Sequence, residues 1–101
     1  NLARMPFRII LAPQAAEDLQ RMRATVRAAV KEALEVHLRH EPRRTSKSRI
    51  KRLRGLSRPQ YRLRVDDIRV FYDVSEVAVE ILAIVSKAEA ESWLSQFGRP
   101  G

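Results

Sequence analysis

No cysteine occurs in the 101 residues, which excludes disulfides and thiolate metal sites. Histidine is nearly as scarce. His37 and His40 are the only two, three apart, with Glu41 as the one close carboxylate. That set falls short of a metal site, and both read as surface groups near a helix C-terminus, where a cation suits the dipole. No metal and no cofactor is therefore expected. No apolar run approaches the ~18 residues that span a bilayer and no secretory segment is evident, so no membrane association is expected and a bacterial-type cytoplasmic setting is the default. Only three glycines against 45% hydrophobic residues is not a disordered profile. The most informative absence is of acid. From Arg43 to Arg64 there is no Asp or Glu, yet ten cations stand there: Arg43, Arg44, Lys47, Arg49, Lys51, Arg52, Arg54, Arg58, Arg62 and Arg64.

With a net charge of +8 and a pI near 11, the chain favours a polyanionic partner, most plausibly RNA. Its length fits one domain, taken as residues 6–98, and Asn1 to Arg4 read as additions ahead of Met5. Phe7 to Leu11 reads as a first strand. Pro13 suits the first helical position, and Glu17 and Asp18 are expected to face the positive end of that helix. Val26, Ala29, Val30, Ala33 and His37, widened by Leu34 and Leu38, form a second helical stripe. Thr25 is a candidate cap, and Glu41-Pro42 stops the helix, with Arg39 and His40 beside its negative end. Arg49 to Leu53 is a short strand, and Gly55 with Pro59 marks the turn out of it. Gln60 to Val65 and Ile68 to Asp73 alternate around Asp66-Asp67, as a hairpin does. Val77 to Val85 reads as a central strand buried on both faces. Ser86-Lys87-Ala88-Glu89 matches a capping box, and the helix it opens carries Ala90, Trp93, Leu94 and Phe97 on one stripe before Gly98. The order β-α-α-β-β-β-β-α gives an α+β domain: a small antiparallel sheet, a helical hairpin on one face and a short C-terminal helix.

If Asp66 and Asp67 form the turn, Val65 pairs with Ile68, Arg64 with Arg69, Leu63 with Val70, Arg62 with Phe71 and Tyr61 with Tyr72. The apolar set then lies against the helices, and Arg62, Arg64, Arg69 and Phe71 share the opposite face. Two arginines directly opposed destabilise a strand pair by a few tenths to about 1 kcal/mol. An open arginine face with one aromatic suits a phosphodiester and a stacked base. The competing reading has the last helix covering this face, with Glu89 or Glu91 neutralising the arginines.

The run Arg52-Leu-Arg-Gly-Leu, then Tyr61-Arg-Leu-Arg-Val-Asp-Asp-Ile-Arg-Val-Phe-Tyr, then an apolar strand and a short helix, resembles the RelE/ParE superfamily of bacterial toxins. These are the toxic halves of type II toxin–antitoxin pairs, and the resemblance runs from about Pro6 to Gly98. Its RelE branch implies a ribosome-dependent endoribonuclease that cuts mRNA and so inhibits translation, with no metal. On that reading the hairpin cations Arg62, Arg64 and Arg69 hold the scissile phosphate, with Arg54 a preceding basic position. Lys87 stands where the branch has a further Arg, and Trp93 where it has a Tyr. Lys47, Arg49, Lys51, Arg52, Arg54, Phe71 and Trp93 are the RNA-binding candidates, the basic stretch touching 16S rRNA. Glu89 is a candidate base by proximity, against its role in the cap. Because arginine does not deprotonate at cellular pH, it supplies charge rather than a base. The superfamily also implies a cognate antitoxin partner. Two alternatives stand beside the ribonuclease: a ParE-like inhibitor of DNA gyrase, and a basic RNA-binding protein without catalysis.

Overall fold

The computed structural model describes residues 5–101, so the reading of Asn1 to Arg4 lies outside the described residues. The elements in chain order are β1 (Arg8–Leu11), α1 (Pro13–Gln20), α2 (Ala24–Ala33) continuing as a π-turn (Leu34–Leu38), β2 (Ile50–Arg52), β3 (Leu56–Arg58), β4 (Tyr61–Val65), β5 (Ile68–Val74), β6 (Ala78–Ser86), α3 (Lys87–Phe97) and β7 (Arg99–Pro100). Five strands form one sheet in the order β1-β6-β5-β4-β2, and β3 pairs with β7 apart from it. All neighbours in the main sheet are antiparallel except β1, which runs parallel to β6. The α+β reading therefore holds, with a mixed rather than wholly antiparallel sheet.

Pro13 opens α1, where its missing N–H costs nothing. Thr25 is not a cap: Arg23 stands at that position with no capping side chain, and α2 starts at Ala24. The break between α1 and α2 is held instead by the Arg27 guanidinium, which donates to the carbonyls of Gln20 (3.2 Å) and Met22 (3.4 Å). No carboxylate lies in the first turn of α1. Glu17 pairs with Arg21, and Asp18 is used differently. Strand β6 carries one extra residue, Leu82, between its pairings with Phe71 and Tyr72, and the Asp18 carboxylate accepts the Ile84 N–H at 2.9 Å just beyond that bulge. The far end of the helical pair is tied to β1 by Arg39, which donates to the Phe7 carbonyl (3.0 Å) and pairs with Glu35.

The main core lies between these helices and one sheet face. Leu19, Val30, Leu34 and Leu38 meet Leu63, Val70, Tyr72, Val79 and Ile81 there. Tyr72 is fully buried, and its hydroxyl donates to the Pro42 carbonyl at 2.7 Å. Burial pushes its phenol well above the ordinary tyrosine range, so it is a neutral structural group. The strand expected as central, β6, is interior but lies between β1 and the middle strand β5, and its Ile81, Leu82, Ala83 and Ile84 are all buried. Gly55 adopts φ +76, a left-handed turn conformation that glycine allows. The segment expected as a turn before Pro59 instead holds β3, which pairs with the C-terminal β7.

Candidate nucleic-acid interface

The hairpin register is the one its alternation demands: Val65↔Ile68, Arg64↔Arg69, Leu63↔Val70, Arg62↔Phe71, Tyr61↔Tyr72. Asp66 takes φ 52 in the two-residue turn, a conformation aspartate tolerates better than most side chains. Leu63, Val70 and Tyr72 are fully buried on the helix side. On the outer face the residues fall into two rows across the sheet. One runs Lys51, Arg62, Phe71, Ala83, and the next Arg64, Arg69, Val85, with the Arg64 N–H donating to the Arg49 carbonyl at its edge (2.8 Å).

The arginines are not neutralised. Among the described residues Lys51, Arg62, Arg64 and Arg69 pair with no carboxylate, whereas Arg21, Arg39, Arg44 and Arg58 each do. Arg69 donates to the carbonyls of Asp66 (2.7 Å) and Ile68 (3.1 Å), and Arg62 to that of Ser48 (2.7 Å). The Arg62 Nε is buried without an acceptor, a costly state for a donor. Burial first, and then the like charges of Arg69 and Arg64, hold the Arg62 guanidinium below its usual range. It remains a cation at cellular pH, and the direction of the shift records burial first and neighbouring positive charge second.

Several expectations for this face are corrected. Phe71 is not an open stacking surface: it is 1% exposed, because the Trp93 ring of α3 lies flat on it at 5.0 Å and 7°. Trp93 is thereby committed on one side, with Phe97 tilted against it at 5.4 Å. Arg52 belongs to the other face, since it pairs with Tyr61, sits over that ring at 5.3 Å and donates to the Gln60 carbonyl at 2.7 Å. Arg54 is exposed in the turn beyond β2, past the end of the strand that carries Lys51. Glu89 does not neutralise the arginines. Its carboxylate accepts from the Ser86 hydroxyl (2.8 Å) and the Ser86 hydroxyl accepts the Glu89 N–H (3.2 Å), a complete capping box.

Lys87, the first residue of α3, is exposed and carries no side-chain ion pair among the described residues. Its backbone N–H donates to the Asp67 carbonyl (2.7 Å), which anchors it at the hairpin turn, close to the Arg69 row. Lys47 and Arg49 are exposed in the loop before β2. Elsewhere in the basic stretch the protein uses its own cations. Arg58 bridges Asp73 (3.4 Å) and Glu80 (3.5 Å), Arg44 pairs with Glu41, and Arg43 donates to the Ser75 carbonyl above the Phe7 ring. The charge run thus resolves into a structural part and a free part at the hairpin.

His37 departs from its reading as a surface group. It is half-buried on the π-turn, and burial followed by the nearby Arg49 charge lowers its pKa below 6.5, which favours a neutral imidazole at pH 7.

Residues 9–91 match the sequence model of the ParE toxin of the type II toxin–antitoxin system parDE. The chain belongs to the RelE/ParE superfamily. It is thus a toxin of a type II toxin–antitoxin system. Among curated proteins none matches it by sequence. Solved structures do. A free double mutant of the E. coli toxin RelE is similar over 90% of this chain and 93% of its own, at 26% identity and TM-score 0.69. The toxin–antitoxin complex RelBE2 of Mycobacterium tuberculosis matches over 80% of this chain and 98% of that one, at 25% identity and TM-score 0.66. The archaeal RelE–RelB complex of Pyrococcus horikoshii matches over 80% and 94%, also at 25% and 0.66. Among the described residues no helix is long and apolar enough to cross a membrane.

Proposed function

We propose that this toxin engages single-stranded RNA on the outer face of its β4–β5 hairpin and acts as a ribosome-dependent mRNA endoribonuclease that inhibits translation. The observation that supports this reading is the group Lys51, Arg62, Arg64 and Arg69, held together on one face without a carboxylate partner among the described residues. Like charges kept adjacent at a cost to stability are accounted for by an anion that arrives later.

In the reaction the 2′-hydroxyl attacks the adjacent phosphorus, the bond to the 5′-oxygen of the next nucleotide breaks, and a cyclic phosphate and a 5′-hydroxyl result. The attacking hydroxyl gives up one proton and the leaving oxygen gains one. Arg64 and Arg69 meet the charge that builds on the phosphoryl oxygens, a stabilisation that is strongest in the transition state. Lys87, at the turn, adds charge and is a donor for the leaving oxygen. Fixed cations in place before the substrate arrives need little reorganisation during the step. The partner that keeps the toxin silent is an antitoxin, since structural neighbours are RelB–RelE complexes; the positive charge of the hairpin face calls for acidic groups on the antitoxin segment that covers it.

A second reading, inhibition of DNA gyrase without cleavage by the toxin itself, is favoured by two observations. The matching family model is that of ParE, and Glu89 is occupied in the helix cap rather than free beside the arginines. Mapping RNA 5′ ends in cells shortly after induction separates the two. Cuts inside translated codons support the ribonuclease, and intact mRNA with trapped gyrase–DNA breaks supports the gyrase reading.

A further inference from the structure

The cationic face does not stop at the sheet edge. Where β2 begins, β4 runs on beyond it, and a concavity of about 320 Å³ opens between the π-turn and the loop before β2. It is lined by His37, Ser48, Arg49, Arg64 and Asp66, with Ala33. His37 and Arg49 also line a neighbouring concavity of about 420 Å³, whose rim carries Glu41 and Arg44, paired to each other. Arg64 therefore belongs both to the outer hairpin face and to this groove.

The loop that forms the groove wall is built rather than loose. The Ser46 hydroxyl accepts the N–H groups of Arg49 (2.9 Å) and Ile50 (3.2 Å), and the Ser46 N–H donates to the Ile50 carbonyl (3.0 Å). Arg62 holds the Ser48 carbonyl from the sheet side at 2.7 Å. Arg49 is thus presented from a backbone fixed at both ends, which lowers the ordering cost of binding. His37 is fixed too, next to the buried Leu38 on a π-turn, a distortion frequently found at functional sites.

We propose that this groove is a second subsite for single-stranded RNA: Arg49 and Arg64 take one backbone phosphate, and His37 hydrogen-bonds the ribose or base attached to it. The strand then passes from the hairpin face around the β2 edge towards the helices. A neutral imidazole offers one donor and one acceptor, which suits a 2′-hydroxyl, and two guanidinium forks suit a phosphodiester. The proposal rests on the RNA-binding reading above and adds to it a place and a set of contacts.

The two histidines make the test clean, because His40 lines neither concavity. Imidazole signals of the purified toxin are followed by NMR while a short oligouridylate is added, with the same length of deoxyoligonucleotide in parallel. The His37 signals are expected to shift to saturation, less with DNA than with RNA, and those of His40 to stay. Arg49→Ala is expected to weaken RNA binding about tenfold, as loss of a charged hydrogen bond does, and His37→Gln to narrow the RNA-over-DNA preference. RNA that binds, responds to Arg69→Ala and leaves His37 unmoved overturns the groove while the hairpin reading stands. A His37 response with binding indifferent to Arg69→Ala supports the groove and overturns the hairpin reading. No binding of RNA at low salt overturns both.

Discussion

Arg64 and Arg69 stand directly opposite each other across the β4–β5 hairpin, two cations in register with no carboxylate bound to either among the described residues. The arrangement costs stability, and among the described residues the Arg64 guanidinium has no compensating hydrogen bond or ion pair. Placing an acid there removes the repulsion. Arg64→Glu is expected to stabilise the fold by a few tenths to about 1 kcal/mol, read as a higher urea midpoint at unchanged slope, while growth arrest on induction is lost. A variant that is less stable than the parent contradicts the assignment of strain to this pair.

Glu89 is assigned to the helix cap, so its charge is dispensable for toxicity. Glu89→Gln still reaches back to Ser86 and is expected to leave growth arrest unchanged. Ser86→Ala removes the cap and is expected to cost about 1 kcal/mol in urea unfolding. Toxicity abolished by Glu89→Gln at full stability would make that carboxylate the proton acceptor.

Asp18 links α1 to the bulged strand β6 through the Ile84 N–H. Asp18→Ala leaves that N–H without its acceptor and is expected to destabilise the protein by about 1–3 kcal/mol. Asp18→Asn keeps an acceptor and is expected to lose less. Hydrogen exchange at Ile84 reports the change locally, and protection retained in the alanine variant would mean that the carboxylate does not hold the bulge.

His37 has a lower pKa in the folded protein than in the unfolded chain, because burial and the Arg49 charge oppose its protonation. Below pH 6.5 the unfolded chain takes up the proton first, so stability falls as the pH drops through and below 6.5. Above that value the contribution is flat. The melting temperature of the wild type is expected to decline more steeply between pH 7 and 5.5 than that of His37→Gln, and parallel curves would show that His37 is not the group responsible.

The hairpin was legible because three local signals agree: period-two alternation, a two-aspartate turn and a buried apolar face that forbids a slip of one residue. The cap at Ser86 was legible for the same reason, a short motif whose partners are three residues apart. What alternation does not contain is the identity of the covering layer. It puts Phe71 on the outer face, but the Trp93 ring that encloses it comes from an element 22 residues on. The β3–β7 pair was invisible because two- and three-residue strands have no periodicity and their pairing depends on a distant tail. Thr25 has the residue type of a cap but lies inside α2, which starts at Ala24 with no capping side chain, while the Arg27 guanidinium ties the Gln20 and Met22 carbonyls at the break. The parallel β1 follows from the αα connection that carries the chain across the sheet, a long-range choice that no short window encodes.

The most direct measurement is the salt dependence of single-stranded RNA binding by the wild type and by the Arg64→Ala/Arg69→Ala variant. Each phosphate contact contributes about −0.7 to the slope of log K against log salt for a single strand, so the double variant is expected to flatten the slope by about 1.4. A slope that does not change when both arginines are gone would contradict an anion-binding role for the outer hairpin face.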